Sequence, residues 1–257
     1  MILLRVLHTL FALLVATVDT VIAGSIGAVV GRVPPQGDWT RTCARVWARV
    51  ALWAAMVRLE VEGVERVPAD TPVVFMANHE SWLDIPMLLV AIPGQVRFLA
   101  KKSLFSVPFL GWAISAMGFI PVDRKNRRTA VKSFEEAAAR IKAGRSVLVF
   151  PEETRTRDGQ LLPFQRGGFL IAMKADLPIV PVGLDGPRRL LPKYSYLLRP
   201  GRVTVRFGEP VPTVGRSVTA KAELIDEVRA MVDRLRGGGP PAPQPGDAGV
   251  VTAADGS

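Results

Sequence analysis

The chain of 257 residues has one cysteine, two histidines and two tyrosines, and each scarcity closes off a class of function. Cys43 alone can form neither an intrachain disulfide nor a cysteine-based zinc cluster, and a single free thiol suits a reducing compartment. With two tyrosines and no interleaving of basic and aromatic residues, the chain lacks the stacking platform of a nucleic-acid binder. There is no Gly-x-Gly-x-x-Gly and no Walker sequence. No Gly-x-Ser-x-Gly elbow raises a serine for attack, and no cysteine lies near His79. One useful histidine among scattered acids is a poor zinc site. No internal repeat is present.

What is abundant is apolar surface and positive charge. Hydrophobic residues make up 49% of the chain, yet the net charge is +10. That combination fits an anionic membrane surface better than nucleic acid. Residues 1–31 are largely apolar. Val21-Ile22-Ala23 before Gly24 resembles a signal-peptide cleavage site. The length also approaches the roughly 20 apolar residues a membrane span needs, although Asp19, Gly24 and Gly27 interrupt it and a central Asp is costly in hydrocarbon. A third arrangement, the favoured one, is a helix pair lying in one leaflet. Its second member would be residues 38–58, with Val46, Trp47, Val50, Ala51, Trp53, Ala54 and Val57 on an apolar face and Arg41, Arg45, Arg49 and Arg58 supplying charge. Pro34-Pro35-Gln36-Gly37 would join the two.

From Leu59 the pattern turns α/β, and a mixed, largely parallel sheet flanked by helices is expected. Apolar runs at 73–77, 96–100, 119–122, 146–150 and 179–182 read as strands, and 203–207 alternates as a half-buried one. Helices are expected at 82–91, 104–117 (interrupted near Pro108), 127–143, 168–175 and 218–236. The expected domains are an N-terminal membrane-associated helix pair at 1–58, a catalytic domain at 59–236, and a Gly/Pro/Ala tail at 237–257 that cannot bury a core.

Polar residues gather where the apolar strands end, which in open α/β sheets is where ligands bind. Asn78-His79-Glu80-Ser81-Trp82-Leu83-Asp84 follows the first run. His79 has the side chain whose pKa lies near neutrality, and Asp84 could fix its tautomer. Ser81-x-x-Asp84 is equally the pattern of a capping box, in which Asp84 only satisfies backbone donors. Asp123-Arg124 follows the third run, Pro151-Glu152-Glu153-Thr154-Arg155 the fourth, and Gly183-Leu184-Asp185 the fifth. Arg124 and Arg155 can each offer a planar fork to phosphate, with Lys101, Arg157 and Arg166 adding to the field. Gln165-Arg166-Gly167-Gly168, before a predicted helix, could turn free backbone N–H groups toward an anion. A general base beside an anion clamp, on a membrane, suits deprotonation of a hydroxyl that attacks an activated carbonyl.

These motifs resemble those of the glycerolipid acyltransferases. Asn-His-x-x-x-x-Asp at 78–84 is similar to the family's first motif and Gly118-Phe119-Ile120-Pro121-Val122-Asp123-Arg124 to its second. Phe150-Pro151-Glu152-Glu153-Thr154-Arg155 is similar to the third, usually Phe-Pro-Glu-Gly-Thr-Arg, and Val180-Pro181-Val182 to the fourth. Order and spacing match from about residue 55 to 215. The resemblance implies transfer of an acyl group from acyl-CoA or acyl carrier protein to lysophosphatidic acid, giving phosphatidic acid without an acyl-enzyme. It implies His79 as general base and Asp84 as its partner. Arg124, Glu152, Thr154 and Arg155 would shape the acceptor phosphate site, with Lys101 assisting. It also implies an apolar acyl tunnel, helices embedded in the cytoplasmic leaflet, and no metal or cofactor.

One residue departs from the pattern. Glu153 stands where the family's third motif usually has Gly, a residue that permits positive φ or close backbone approach. The added carboxylate should weaken phosphate binding unless Arg155 or Arg157 neutralises it. Otherwise it marks a different acceptor, another lysophospholipid or a lyso-ornithine lipid.

Overall fold

A computed structural model of the chain describes residues 2–30, 38–122, 145–216 and 221–237. Two helices come first, α1 (Ile2–Val30) and α2 (Asp38–Ala54). The sheet begins with β1 (Val57–Glu62) and β2 (Val74–Ala77), followed by α3 (Asp84–Ala91), β3 (Val96–Lys101), a 3-10 turn (Lys102–Ser106), α4 (Leu110–Ala116) and β4 (Ile120–Val122). Then come β5 (Ser146–Val149), α5 (Arg166–Ala175), β6 (Ile179–Asp185), the short α6 (Pro187–Leu190), β7 (Gly201–Phe207) and α7 (Lys221–Arg236). The expected helix at 127–143, Asp123, Arg124, and the tail beyond Gly237 lie outside the described residues.

Seven strands form one sheet in the order β1-β7-β6-β2-β5-β3-β4. Among the described strands, β6 and β7 pair antiparallel and the other pairs are parallel. The mixed, largely parallel α/β architecture is as expected. β2 is central and buried along its whole length, as a strand covered on both faces must be. Its side chains alternate between two cores. Phe75 and Ala77 face the core shared with α1–α3, while Val74 and Met76 face the one shared with α5 and α7. His79 keeps the parity of Phe75 and Ala77, so it emerges on the side of the N-terminal helices.

The helix pair is not a separate body. Ala12 of α1 and Ala44, Ala48 and Leu52 of α2 belong to the same core as Phe75 and Phe98. A small residue lets α1 approach the start of α4: a side chain at Gly24 would lie 2.7 Å from the Phe109 carbonyl oxygen. The expected apolar face of α2 needs correction. Val46 and Trp53 of that face point outward, with Trp53 67% exposed, while Ala54 and Val57 are buried together with Ala44, Ala48 and Leu52, which lie off it. Trp53 packs edge-on against Phe11, extending the outward apolar surface of α1. Ile2–Gly27 has a mean hydropathy of 2.0 in its most apolar window, only 11% of which is buried, and is long and apolar enough to cross a membrane. This surface suggests membrane association.

Candidate active site

β2 ends at Ala77, and the next residue locks its end in place. The Asn78 side chain extends the pairing with β6: Nδ2 donates to the Leu184 carbonyl (3.0 Å) and Oδ1 accepts the Leu184 N–H (2.7 Å). His79 is then held at both backbone ends. Its N–H donates to Glu152 Oε1 (2.7 Å), and its carbonyl accepts the Thr156 N–H (2.9 Å). Its ring stacks on Phe150, with centroids 4.1 Å apart and planes 19° from parallel. Phe150 follows β5, the neighbour of β2, so the stack prolongs the sheet's own side-chain rows.

The histidine meets Asp84 at the first turn of α3, with Nδ1 2.7 Å from Asp84 Oδ2. The same Oδ2 accepts the N–H groups of Glu80 (2.7 Å) and Ser81 (2.9 Å). Ser81 Oγ accepts the Leu83 N–H and donates to the Leu191 carbonyl. The dyad and the capping arrangement therefore coexist, because one oxygen performs both tasks. Three donors converge on this one oxygen of the fully buried Asp84. That assigns the Nδ1 proton to the hydrogen bond and leaves Nε2 with its lone pair, the arrangement of a general base. The other histidine, His8, donates from Nε2 to the Ala54 carbonyl and ties α1 to α2.

Behind the dyad lie two buried acids. Burial pushes Glu80 up to about 7, the Asp84 charge adds to this, and Arg236, 3.8 Å away, with the Asn78 side chain opposes it. Burial also pushes Glu152 upward, against the N–H groups of Leu162 and His79 that bind its carboxylate. Both Glu152 oxygens are engaged this way, and the residue is 4% exposed. Glu152 thus shapes the site from beneath by holding His79; it presents no free oxygen to a ligand.

The cations divide into two groups. Arg155 lies with its guanidinium 4.5 Å over the Trp82 ring. Thr154 Oγ1 and the Arg155 carbonyl both accept hydrogen bonds from Lys193. Lys101 is exposed at the end of β3, two strands from β2; Arg124 lies outside the described residues. The expected polar group at Asp185 does not join the site, because Asp185 is paired with Arg189 (2.9 Å) and Arg206 (3.6 Å). Glu153 takes the left-handed conformation, φ 57°, that its position requires of glycine. It lines a small cavity with Leu99, Val122 and Gln165, and makes no ion pair with Arg155 or Arg157. Lys193 and Arg236 escaped the sequence reading, and the tasks of Asn78 and Glu80 within their motif were not legible there. None belongs to an apolar period, and the contacts that matter here cross the fold: Asn78 to Leu184, Glu80 to Arg236, and Lys193 to Thr154 and Arg155.

An apolar cavity of about 630 Å³ adjoins the dyad loop. One side is α1 and α2 (Thr9, Ala12, Leu13, Ala16, Trp47, Ala51), and the other is Trp82, Leu83, Pro86, Arg155 and residues from 191–198. Among the described residues, no group of three or more His, Cys, Asp or Glu could hold a metal.

A sequence model of the acyltransferase family matches residues 58–185. A chloroplastic 1-acyl-sn-glycerol-3-phosphate acyltransferase of Brassica napus is 36% identical over 189 residues, 72% of this chain and 53% of its own length. The 1-acyl-sn-glycerol-3-phosphate acyltransferase alpha of Homo sapiens is 34% identical over 181 residues, 70% of this chain and 62% of its own. The chain spans about half the length of the first of these relatives. Among solved structures, the 1-acyl-sn-glycerophosphate (LPA) acyltransferase PlsC of Thermotoga maritima superposes with a TM-score of 0.79 at 30% identity, over 90% of this chain and 94% of that one.

Proposed function

The chain belongs to the acyltransferase family, and from that premise we propose that it moves an acyl group from acyl-CoA or acyl carrier protein to the free hydroxyl of 1-acyl-sn-glycerol-3-phosphate, forming phosphatidic acid. The observation that carries the reading is the His79–Asp84 pair, with Nε2 unspent, beside an apolar cavity that Arg155 lines. The names of the relatives support the choice of acceptor.

Nε2 takes the acceptor hydroxyl proton as the oxygen attacks the thioester carbonyl. The Asp84 carboxylate keeps the Nδ1 proton in place and stabilises the imidazolium that forms. When the tetrahedral intermediate collapses, the C–S bond breaks and the imidazolium returns the proton to the leaving thiolate. No acyl-enzyme, metal or cofactor is needed. Arg155 and Thr154, with Lys101 and Arg124, bind phosphate, while Glu152 sets the height of His79. The apolar cavity takes an acyl chain. α1 and α2 rest in the cytoplasmic leaflet, which delivers the lysolipid to the site.

The test uses purified protein in detergent with oleoyl-CoA and lysophosphatidic acid, followed by thiol release. His79→Ala should lose roughly 10²-fold or more; full thiol release by that variant would sink the mechanism. A second reading, another lysolipid acceptor, rests on Glu153, whose cavity includes Leu99 and Val122 from the strands that lead to Lys101 and Arg124. A panel of lysolipids decides it, and a clear preference for lysophosphatidic acid removes it.

A further inference from the structure

We propose that Arg236, the last residue of α7, is a positioning residue for the reaction: it joins the two turns that hold His79 and sets one positive charge against the buried acids behind the dyad. The inference rests on the function proposed above. It concerns a residue beyond the segment 58–185 that the family model matches.

The fold brings α7 to this place by a close approach. Val182 pairs with Ala77, so Gly183 lies level with Asn78. A side chain at Gly183 would collide with the backbone of Leu235 and Arg236, and glycine lets the helix end rest on β6 there. Arg206 donates from Nη1 to the Leu235 carbonyl (3.1 Å), one of the acceptors a helix end leaves open. The Arg236 guanidinium is then oriented from outside. Asp233, an exposed carboxylate three residues earlier, accepts from Nε (2.8 Å) and lies 2.6 Å from Nη2. Nη1 is left to point inward, where it donates to the Gly159 carbonyl (2.6 Å) and lies 3.8 Å from Glu80 Oε1.

Both contacts lead to His79. Gly159 donates its N–H to Thr156 Oγ1 (3.2 Å), and the Thr156 N–H binds the His79 carbonyl. Glu80 donates its N–H to Asp84 Oδ2, and its carboxylate accepts from the Asn78 amide that ties β2 to β6. Glu80, Asp84 and Glu152 are all buried around one imidazole. Burial and the Asp84 and Glu152 charges disfavour the Glu80 anion; Arg236 and the Asn78 amide favour it. Burial disfavours the Glu152 anion, and the Leu162 and His79 N–H groups, the His79 ring and Arg236 favour it. Arg236 thus acts on both acids. With both ionised, Asn78 keeps its acceptor, and the Glu152 charge facing His79 supports the imidazolium that forms when the hydroxyl proton is taken.

The experiment compares wild type with Arg236→Gln, which removes the charge and keeps a donor, and with Arg236→Lys, which keeps the charge. Thiol release with oleoyl-CoA and lysophosphatidic acid gives kcat and KM across neutral and alkaline pH. At neutral pH Arg236→Gln should lose about ten-fold in kcat, the size of one pKa unit, with both KM values unchanged. The loss should shrink as pH rises, because the acids then ionise unaided, and Arg236→Lys should recover most of it. A loss that is the same at every pH, or equal in Arg236→Lys, or absent, overturns the proposal. If wild type turns over neither substrate, the proposed function fails, and Arg236 is read by urea midpoints against pH. A carboxyl whose folded pKa is raised gives stability that is lost as pH rises through that value. Removing Arg236 raises it further, so the fall in stability should extend to higher pH in Arg236→Gln than in wild type. Curves that differ only by a constant offset would overturn the inference without reference to turnover.

Discussion

The turn after β2 and the turn after β5 lie side by side, and they are built in opposite ways. From Asn78 to Asp84 almost every polar group is consumed internally: Asn78 by Leu184, the His79 backbone by Glu152 and Thr156, and the Glu80 and Ser81 N–H groups by Asp84. From Glu153 to Arg157 the backbone is strained at φ 57°, Thr154 is exposed, and the arginine heads rest on aromatic faces. Proton transfer depends on placing one nitrogen to within a fraction of an ångström, so a rigid backbone must hold it. Binding a phosphate depends on charge that can adjust to the ligand, so tethered side chains suffice. Under the proposed function, the contrast separates a part that does chemistry from a part that recognises.

The largest effect should come from the oxygen that serves both roles of the first turn. Asp84→Ala strands two buried N–H groups and frees the imidazole, so it should lose roughly 10²-fold in activity and about 1–3 kcal/mol of stability for each orphaned donor. Arg157→Gln in the second turn should stay within about 0.5 kcal/mol of wild type. Urea unfolding of both variants is the check, and equal destabilisation would erase the distinction between the turns.

A somewhat smaller effect should follow from pH. Glu80 ionises near 4.5 when exposed but is pushed up to about 7 in the fold. Between those values the folded chain holds a proton that the unfolded chain has released. Stability therefore falls as pH rises from about 4.5 to about 7, by up to about 3 kcal/mol, and levels off above. Glu80→Gln should flatten most of that slope, leaving a remainder from Glu152, which burial pushes in the same direction. Urea midpoints at pH 5 and pH 8 measure it. A slope that survives the substitution in full would mean the first turn is looser around Glu80 than its contacts with Asn78 and Arg236 imply.

The strand ends were legible because each is a short apolar run broken by polar residues, and such runs have few alternatives in an α/β chain. The dyad was legible because His79 is the one histidine outside the apolar N-terminus. The destinations of charged side chains were not. Asp185 has the same setting in sequence as Asp123, yet it is consumed by Arg189 and Arg206. Glu152 looked like part of a binding turn and is a brace for His79. Lys193 and Tyr194 gave no signal at all, since their contacts are with a loop 38 and 37 residues earlier. On α2 the apolar positions covered more than one face, and composition does not say which one meets the core; Ala44 and Ala48 are buried there with Trp47 packed beside them, and Trp53 is left outside.

The smallest effect bears on the second turn alone. The position of Glu153 demands a positive φ, as the glycine usual in that motif would supply freely. A side chain there costs about 1–2 kcal/mol, and glycine returns about 0.5–1 kcal/mol of that through its greater freedom in the unfolded chain. Glu153→Gly should therefore stabilise by about 0.5–1 kcal/mol, a rise of about 1–4 °C in Tm. Its activity on lysophosphatidic acid should be unchanged or higher, because the Glu153 carboxylate pairs with neither Arg155 nor Arg157. A gain in stability with a loss of activity would show that the carboxylate itself takes part in recognising the acceptor. The strain at this turn would then serve substrate choice.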